Sequence, residues 1–311
     1  MERAGRASDQ SASGVMEQAE SKTHGLSAEL LDQWVDAALA EDVGSGDVTT
    51  ASTVDPTVQA RGTLLARAPG CLAGLVVFEH VFRRLSTAGD TLTINSLAGD
   101  GDQVTANQVL VEMTGPAVKL LVGERTALNF TQRMSGIATL TAAFVKQAAG
   151  GARILDTRKT TPGLRAFEKY AVRCGGGENH RFGLYDEAMI KDNHLDLSGM
   201  ELDALIEKLR NSRPGLRITA EARDEAEARA AARAGANVIL LDNMSPAEIA
   251  RLCPILREEA GERRVEMEAS GGIGLDNVAD YARTGVDRIS IGALTHSAPA
   301  LDLSLTLEPA R

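Results

Sequence analysis

The feature that most constrains the fold is an alternation of short apolar strands with helices across residues 153–293. The predicted strands are Arg153–Thr157, Ala188–Lys191, Arg217–Ala222, Asn237–Asn243, Val265–Ser270 and Arg288–Ala293. This alternation is typical of a parallel sheet, since each connecting helix returns the chain to the same end. Six such strands in about 140 residues, each ending in polar residues, indicate an incomplete TIM-like α/β barrel. An open doubly wound sheet is the alternative, although the first strand has no GxGxxG after it to bind a dinucleotide.

The chain before this alternation has a different pattern. Ser27 is predicted to cap a helix whose apolar residues follow at helical spacing, and Gly44 to end it. Residues 57–115 are predicted to be short strands and turns, with residues 98–115 resembling a lipoyl-type hairpin that lacks the modified lysine. A long helix is predicted from Gly123 to Ala149. Residues 1–25 are predicted to be a disordered tail and not a secretory signal, because they contain no apolar core.

Charge and composition exclude several classes of function. The 311 residues include 33 Lys and Arg against 43 Asp and Glu, and a formal charge of −10 disfavours nucleic acid as a partner. Aromatic residues make up only 3%, too few for base-stacking platforms. No apolar run approaches the roughly 18 residues of a membrane span. Three scattered cysteines without a CxxC pair favour a reducing cytoplasm over a disulfide framework or a zinc site.

The polar ends of the predicted strands differ in character. The first two ends are basic, the next two carry the acids Glu221 and Asp242, and the last two are rich in glycine. Because a barrel places its active site at the carboxyl ends of its strands, this order predicts an anion pocket, a polyol or metal pocket and a phosphate pocket.

The basic residues are concentrated between Arg153 and Lys191. This span contains eight Lys and Arg and five Asp and Glu, so its net charge is 8 − 5 = +3 in a chain whose total is −10. Arginine forks bind carboxylates through two parallel bonds, and lysine adds a point charge. The interpretation is a site for a small anion, with Arg158 and Lys159 at a strand end as the strongest candidates. A solvated basic loop that contacts nothing is the alternative.

The glycine-rich and acidic ends suggest further ligands. Ser270-Gly271-Gly272-Ile273-Gly274 follows an apolar strand and precedes a helix, so its backbone N–H groups are predicted to form a phosphate site together with Gly292. Glu221 and Asp242, on neighbouring strands, would hold ribose hydroxyls or Mg²⁺; charge balance for nearby arginines is the alternative. His180 and His194 lack the spacing of a zinc site.

Six sequence blocks, in order, carry a resemblance to a known family. They are Gly123-Glu-Arg-Thr-Ala-Leu-Asn129, Asp156-Thr-Arg-Lys-Thr-Thr-Pro-Gly-Leu-Arg165, Gly175-Gly-Gly-Glu-Asn-His-Arg181, Ile190-Lys-Asp-Asn-His194, Leu241-Asp-Asn-Met244 and Glu268-Ala-Ser-Gly-Gly-Ile273. Together they resemble quinolinate phosphoribosyltransferase, the decarboxylating nicotinate-nucleotide pyrophosphorylase of NAD biosynthesis. The resemblance covers roughly residues 27–305, and six blocks in order are far more specific than one motif.

The resemblance implies both a fold and a reaction. It implies an N-terminal open α/β sandwich domain of residues 26–128 with 295–311, and an α/β barrel catalytic domain of residues 129–294. It also implies a homodimer in which one subunit's sandwich covers the other's barrel mouth. The implied pentosyltransferase reaction joins quinolinate to phosphoribosyl pyrophosphate (PRPP) with Mg²⁺, giving nicotinate mononucleotide, pyrophosphate and CO₂.

The resemblance also assigns residue roles. The two quinolinate carboxylates would be bound by Arg158, His180, Arg181 and Lys191, with Arg125 reaching the pocket from the partner subunit. Lys159 would face the pyrophosphate, and Glu221 and Asp242 would hold ribose and metal. The 5′-phosphate would lie against Ser270, Gly271, Gly272 and Gly292. Lys159, Lys191, Glu221 and Asp242 are the predicted catalytic residues. One departure is Thr219, where a second acid is expected two residues before Glu221.

Three alternatives stay open from the sequence. A relative of this transferase would use nicotinate or another heterocycle in place of quinolinate. A Schiff-base aldolase would use Lys191 or Lys159 on the barrel. A non-catalytic barrel would bind PRPP without turnover, although the chain keeps both acids and both Arg–Lys clusters.

Overall fold

The computed structural model describes residues 25–310, so nearly all of the predicted tail lies outside the described residues. In chain order the elements are α1 (Ala28–Val43), α2 (Val48–Thr53), β1 (Gln59–Ala66), β2 (Gly70–Cys71), α3 (Leu75–Leu85), β3 (Thr93–Ser96), β4 (Gln103–Val104), β5 (Val109–Pro116), α4 (Ala117–Ala148), β6 (Arg153–Leu155), α5 (Arg165–Cys174), β7 (Ala188–Ile190), α6 (Asp192–Ser198), α7 (Leu202–Ser212), β8 (Ile218–Ala222), α8 (Glu225–Ala234), β9 (Val238–Asp242), α9 (Pro246–Ala260), β10 (Glu266–Ser270), α10 (Val278–Ala282), β11 (Arg288–Ser290), α11 (Ala293–His296) and β12 (Leu303–Pro309). Within this range the chain forms two compact units. One comprises the residues up to Gly136 and those from Ala300, and the other is Ile137–Pro299.

The first unit contains a four-stranded sheet and helices, as expected of an α/β sandwich. The sheet has the order β12-β1-β5-β3 and its pairings are antiparallel. Helix α1 begins at the predicted cap, where the Leu30 N–H donates to Ser27 Oγ at 3.3 Å, and ends at Gly44. Arg84 on α3 binds the Asp36 carboxylate of α1 through two bonds of 2.7 Å. Because β12 pairs with β1, the C-terminal strand belongs to the same sheet as β1 and β5.

The predicted hairpin of residues 98–115 is wrong. Strands β4 and β5 do form on either side of a turn, but β4 pairs with β2, whereas β5 pairs with β1 and β3. The turn bonds instead to the end of β1, where the Asn107 N–H donates to the Ala66 carbonyl at 2.7 Å. The alternation of residues correctly indicated strands, but pairing partners depend on tertiary contacts that local sequence does not contain.

The second unit is built on a six-stranded parallel sheet. Its order is β6-β11-β10-β9-β8-β7, and each of its five pairings is parallel. The order follows the chain around a barrel, with β6 and β7 as the two sheet edges. All six predicted strands are confirmed, each shorter than predicted by one or more residues. This is the expected incomplete α/β barrel.

The helices of this unit follow local sequence signals. Asp224 is the N-cap of α8, and its side chain accepts the Glu227 N–H at 2.9 Å. Gly235 ends α8 in the left-handed conformation with φ of 81°. The alanines Ala228, Ala231 and Ala232 are buried on one face of α8.

The interior of the barrel contains charged side chains, which the sequence analysis did not identify. Arg288 on β11 is 5% exposed, and its Nε lies 2.7 Å from Oε2 of Glu268 on β10, which is fully buried. Another nitrogen of Arg288 lies 3.7 Å from Glu187, next to β7. Barrel interiors are normally filled with branched apolar side chains. Here the inward side chains of β10 are Glu266 and Glu268, and Arg288 balances their negative charges.

The Gly175-Gly176-Gly177 turn packs tightly against helix α4. A Cβ atom added at Gly175 would lie 2.4 Å from the Ala138 carbonyl oxygen and 2.6 Å from the Thr141 Cβ. A Cβ at Gly177 would lie 2.8 Å from Thr141 Cγ2. These glycines are therefore explained by close backbone approach, and the sequence after them does not form a phosphate-binding P-loop.

Across residues 25–310, none of the helices combines the length with the apolar character needed for a membrane span.

We predict that Gly175→Ala destabilises the protein by roughly 1–3 kcal/mol, because the added methyl group overpacks the contact with α4. Urea unfolding followed by circular dichroism measures the effect. The control is Gly89→Ala, where a Cβ meets nothing within 4 Å and where we expect a change within about 0.5 kcal/mol. Equal stability of the two variants would contradict the packing argument.

Candidate active site

The parallel sheet brings the predicted site residues to one edge. All six strands point the same way, so their carboxyl ends lie together. Along this edge the order is Lys159 after β6, Gly292 after β11, Ser270 at the end of β10, Asp242 at the end of β9, Glu221 on β8 and Lys191 after β7. The glycine-rich ends are thus neighbours of Lys159, and the acids are neighbours of Lys191.

The glycine side is shaped by close contacts. Gly271 and Gly272 have φ of 96° and 62°, a left-handed conformation that glycine adopts without strain. A Cβ at Gly271 would lie 2.2 Å from Oδ1 of Asn243, so only glycine fits at this position. Successive backbone amides in such a turn favour an anion. This loop therefore has the shape expected of a phosphate site.

His296 lies on this glycine side and was missed by the sequence analysis. A Cβ at Gly292 would lie 3.1 Å from His296 Nε2 and 3.0 Å from Lys159 Cδ, so the two side chains flank the same glycine. The Thr295 hydroxyl donates to the Lys159 carbonyl at 2.7 Å and joins the β6 loop to α11. The sequence contained one signal for His296: it follows Gly292, a residue of the predicted phosphate site, by four residues, just after the last strand of the barrel.

The acidic side places Glu221 and Asp242 on adjacent strands. Glu221 accepts a hydrogen bond from the Lys191 ammonium, and Asp242 accepts one from Asn243 Nδ2 at 2.7 Å. A cavity of about 460 Å³ opens beside Glu221 and is also lined by Asp192 and Arg223. Of Glu221, Asp242 and Lys191, Glu221 is the one that lines this cavity.

Thr219, where the resemblance implies a second acid, does not face this space. It is fully buried, and its hydroxyl donates to the carboxylate of Glu187, which is itself 7% exposed. The position of Thr219 therefore lies within the barrel interior, where Glu187 already supplies an acid. The departure at residue 219 leaves the two carboxylates at the strand ends unchanged.

The acidic side suits Mg²⁺ better than a metal held by protein ligands alone. No group of three or more His, Cys, Asp or Glu side chains within residues 25–310 is arranged to hold a metal ion. Mg²⁺ is commonly bound through one or two carboxylates together with substrate phosphates and water. Glu221 and Asp242 fit that donor set.

The basic residues between Arg153 and Lys191 differ in whether the fold gives them an ion-pair partner. Arg153 pairs with Glu178 and Glu266, Lys169 is buried against Asp156, and Lys191 binds Glu221. Within the described residues, neither Arg158 nor Lys159 nor Arg181 forms an ion pair with a carboxylate of the chain, in contrast to arginines such as Arg223, Arg229 and Arg251.

Arg158 and Arg181 also influence each other electrostatically. Partial burial is the main cause that lowers the pKa of Arg181, and the positive charge of Arg158 is the next. Arg181 Nη1 donates to the Glu187 carbonyl at 3.0 Å, which directs the guanidinium toward the start of β7. Since both groups stay protonated, an anion between them would relieve their repulsion. The two side chains thus form a local concentration of positive charge.

His180 is not exposed with the other predicted ligands. The residue is 8% exposed, and its Nδ1 accepts the backbone N–H of Arg181 at 2.7 Å. Its Nε2 is buried and lies 3.4 Å from Glu268 Oε1. Burial acts to raise the pKa of Glu268, but interactions with His180 and Arg288 outweigh it and lower the pKa. The ring of His180 therefore faces the barrel interior.

Arg125 lies in the first unit, on the exposed side of α4. Its contact with the pocket of a partner subunit stays a prediction.

Comparisons with known proteins agree with this arrangement. Residues 137–306 match the family model "Quinolinate phosphoribosyl transferase, C-terminal domain", and residues 47–135 match the corresponding N-terminal domain. The chain is 41% identical over 269 residues to a Bacillus subtilis protein named probable nicotinate-nucleotide pyrophosphorylase [carboxylating], covering 85% of this chain and 89% of that one. It is 42% identical to a Mycobacterium leprae protein named nicotinate-nucleotide pyrophosphorylase [carboxylating], covering 87% and 94%.

Solved structures show the same likeness. NadC from Streptococcus pyogenes superposes with a TM-score of 0.86 at 39% identity, covering 92% of this chain and 99% of that one. Human nicotinic acid phosphoribosyltransferase superposes with a TM-score of 0.57 at 13% identity, covering 85% and 72%, which shows a shared fold alone. The matches span both units, and they confirm the resemblance carried by the six sequence blocks. The chain belongs to the quinolinate phosphoribosyltransferase family.

Proposed function

We propose that the protein is a decarboxylating quinolinate phosphoribosyltransferase. It transfers the phosphoribosyl group of PRPP to the ring nitrogen of quinolinate and releases pyrophosphate and CO₂, giving nicotinate mononucleotide for NAD biosynthesis. The observation that carries the proposal is the pair of basic residues Arg158 and Arg181, which influence each other electrostatically and, among residues 25–310, form no ion pair with a carboxylate. The names of the relatives support the same reaction.

Quinolinate fits the basic side because it carries two adjacent carboxylates on a pyridine ring. Arg158 and Arg181 would each bind carboxylate oxygens through paired N–H bonds, with Lys191 in support. This would hold the ring with its nitrogen toward the sugar and replace the repulsion between the two guanidiniums with attraction. A nicotinate-using relative would leave one of these arginines without a partner, so the dicarboxylate is the substrate that fits better.

PRPP fits the remaining part of the edge. The 5′-phosphate would lie on the amides of Ser270, Gly271, Gly272 and Gly292, and His296 and Lys159 would add donors. The ribose hydroxyls would face Glu221 and Asp242. In the reaction the ring nitrogen forms a bond to the anomeric carbon while the bond to pyrophosphate breaks. Positive charge developing on the sugar is stabilised by the two carboxylates, and Lys159 binds the departing pyrophosphate.

Mg²⁺ is the proposed cofactor, held by Glu221 and Asp242 together with pyrophosphate oxygens. When bound, it would supply positive charge that neutralises the leaving group. The bond between ring carbon 2 and its carboxylate then breaks, and the electron pair left on the ring carbon is stabilised by the ring cation and the nearby arginines before protonation. No covalent enzyme intermediate is needed, so the lysines act through charge. In the Schiff-base aldolase alternative, by contrast, Lys191 or Lys159 would form a covalent bond to the substrate.

The assembly and location are further parts of the proposal. The enzyme would be a homodimer in which Arg125 of the partner subunit completes the quinolinate pocket. A cytoplasmic location is supported by the three cysteines, Cys71, Cys174 and Cys253, which form no disulfide within the described residues.

The proposal predicts that the purified protein, given quinolinate, PRPP and Mg²⁺, releases CO₂ and forms nicotinate mononucleotide in equal amounts. Trapped labelled CO₂ and chromatography of the nucleotide measure the two products. A parallel reaction with nicotinate in place of quinolinate serves as the control. Product from nicotinate alone would show that the substrate is misassigned, and PRPP binding without any product would favour a sensor.

Arg158→Ala is expected to raise the KM for quinolinate by roughly 10- to 150-fold, the range that corresponds to losing a charged hydrogen bond worth about 1.5–3 kcal/mol. The KM for PRPP should change little, because PRPP is bound at other strand ends. Arg229→Ala is the matched control, since Arg229 belongs to an ion pair on α8. Equal losses for both substrates would mean that the role of Arg158 is misassigned.

The shared site predicts complementation between two inactive variants. Arg125→Ala and Arg158→Ala would each be impaired as homodimers, whereas a dimer with one subunit of each kind contains one native pocket. After random mixing of equal amounts, about one quarter of wild-type activity should return. Activity that stays at the level of the separate variants would show that Arg125 does not act across subunits.

A further inference from the structure

A buried ion pair lies behind the predicted quinolinate ligands, and none of the proposed steps uses it. Asp156, directly after β6, and Lys169, on α5, form a salt bridge whose side chains are 0% and 2% exposed. Replacing a buried ion pair with apolar residues of similar volume is often neutral or stabilising, so such a pair is weak evidence for a stability role. Its hydrogen-bonding partners indicate what it does in this protein.

Nearly every remaining bond of this pair goes to one short stretch of chain, Asn179–His180. Asp156 Oδ1 accepts the backbone N–H of His180 at 2.9 Å, and Asp156 Oδ2 accepts Asn179 Nδ2 at 2.6 Å. Lys169 Nζ donates to the His180 carbonyl at 2.9 Å. The pair therefore holds both backbone polar groups of His180, together with the side chain of the residue before it.

The same stretch lies along the free edge of β6. Leu155 and Glu178 form an isolated parallel bridge, in which the Glu178 N–H donates to the Ile154 carbonyl at 2.8 Å. At its other end, Arg181 bonds to the Glu187 carbonyl just before β7. The Glu178–Arg181 segment thus connects the two edges of the open barrel, and its position sets where the Arg181 guanidinium points.

The ring of His180 carries this restraint to Arg181. Its Nδ1 accepts the Arg181 N–H at 2.7 Å, and its other nitrogen faces Glu268, which is held in turn by Arg288. The backbone of His180 is fixed from the helix side, and its ring is fixed from the barrel interior. A residue held on both sides in this way is suited to orienting its neighbour.

We propose that Asp156 and Lys169 are positioning residues for quinolinate binding: through Asn179 and His180 they fix the Glu178–Arg181 segment, and with it the position of the Arg181 guanidinium. His180 acts as the link in this arrangement. The inference rests on the proposed function and concerns the quinolinate side alone. Misplacing a binding group by about 1 Å can lower activity by up to roughly a hundredfold.

The test uses two variants that leave no buried charge alone. The double variant Asp156→Asn with Lys169→Met removes both charges and the bond to the His180 carbonyl. Asn179→Ala keeps the ion pair and removes only the side chain that Asp156 holds. Both are compared with Glu259→Gln, which breaks the Arg229 ion pair between α8 and α9. The melting temperature, KM for quinolinate, KM for PRPP and kcat are measured for all variants.

We expect both test variants to raise the KM for quinolinate by roughly tenfold to a hundredfold, with the KM for PRPP within about twofold of wild type. Glu259→Gln should leave both KM values unchanged. Parallel increases in the two KM values, or no change in either, would overturn the proposal and leave the pair with a structural role. If the double variant does not fold, Asn179→Ala decides the outcome by the same criterion.

A spectroscopic measurement provides a readout independent of activity. Nitrogen-15 NMR of the histidine rings, with the His180 signals assigned by their loss in His180→Gln, should show Nδ1 without a proton in the wild type. We expect the His180 signals to shift in both test variants and to stay in place in Glu259→Gln. Unshifted signals would overturn the proposal. If the wild-type protein does not turn over quinolinate, the proposed function itself fails. If the wild type is active but the variants change the KM for quinolinate and the KM for PRPP equally, only the positioning role fails.

Discussion

The parallel pairing of β6–β11 is the constraint on which the rest of the site depends. Because all six strands point the same way, residues from six distant parts of the chain meet at one edge. The order of pairing then decides their neighbours: the glycine loops after β10 and β11 lie next to Lys159, and Glu221 lies next to Lys191. The places proposed for a phosphate, a sugar and a dicarboxylate are separate along this edge for that reason.

Charge is distributed according to exposure. In the barrel interior, Arg288 is paired with glutamates, since a buried charge without a partner is strongly unfavourable. At the mouth, Arg158 and Arg181 are partly or fully exposed and are left for a ligand. Whole-chain charge is therefore a poor guide to small ligands. A chain of net charge −10 still has two arginines, Arg158 and Arg181, that form no ion pair with a carboxylate among residues 25–310.

Sequence reasoning predicted the six barrel strands and the ends that carry the site. It succeeded because buried parallel strands are short apolar runs followed by polar residues, a pattern present in local sequence. It failed for residues 98–115, where both strands exist but pair with other partners. It also missed His296 and the buried charges around Arg288, since a histidine or an arginine in a sequence does not reveal which distant residues will surround it.

The sequence by itself determined the barrel, the chemical character of each strand end and the family, because these depend on local periodicity and on ordered motifs. The tertiary structure decided which charged residues remain free for ligands. Lys169 is one of the eight basic residues between Arg153 and Lys191, and the fold shows that it is buried against Asp156. His180 was predicted as a ligand, yet its ring faces Glu268 in the interior. The physical reason is that an ion pair forms between residues far apart in sequence, so only folding determines which charges are neutralised.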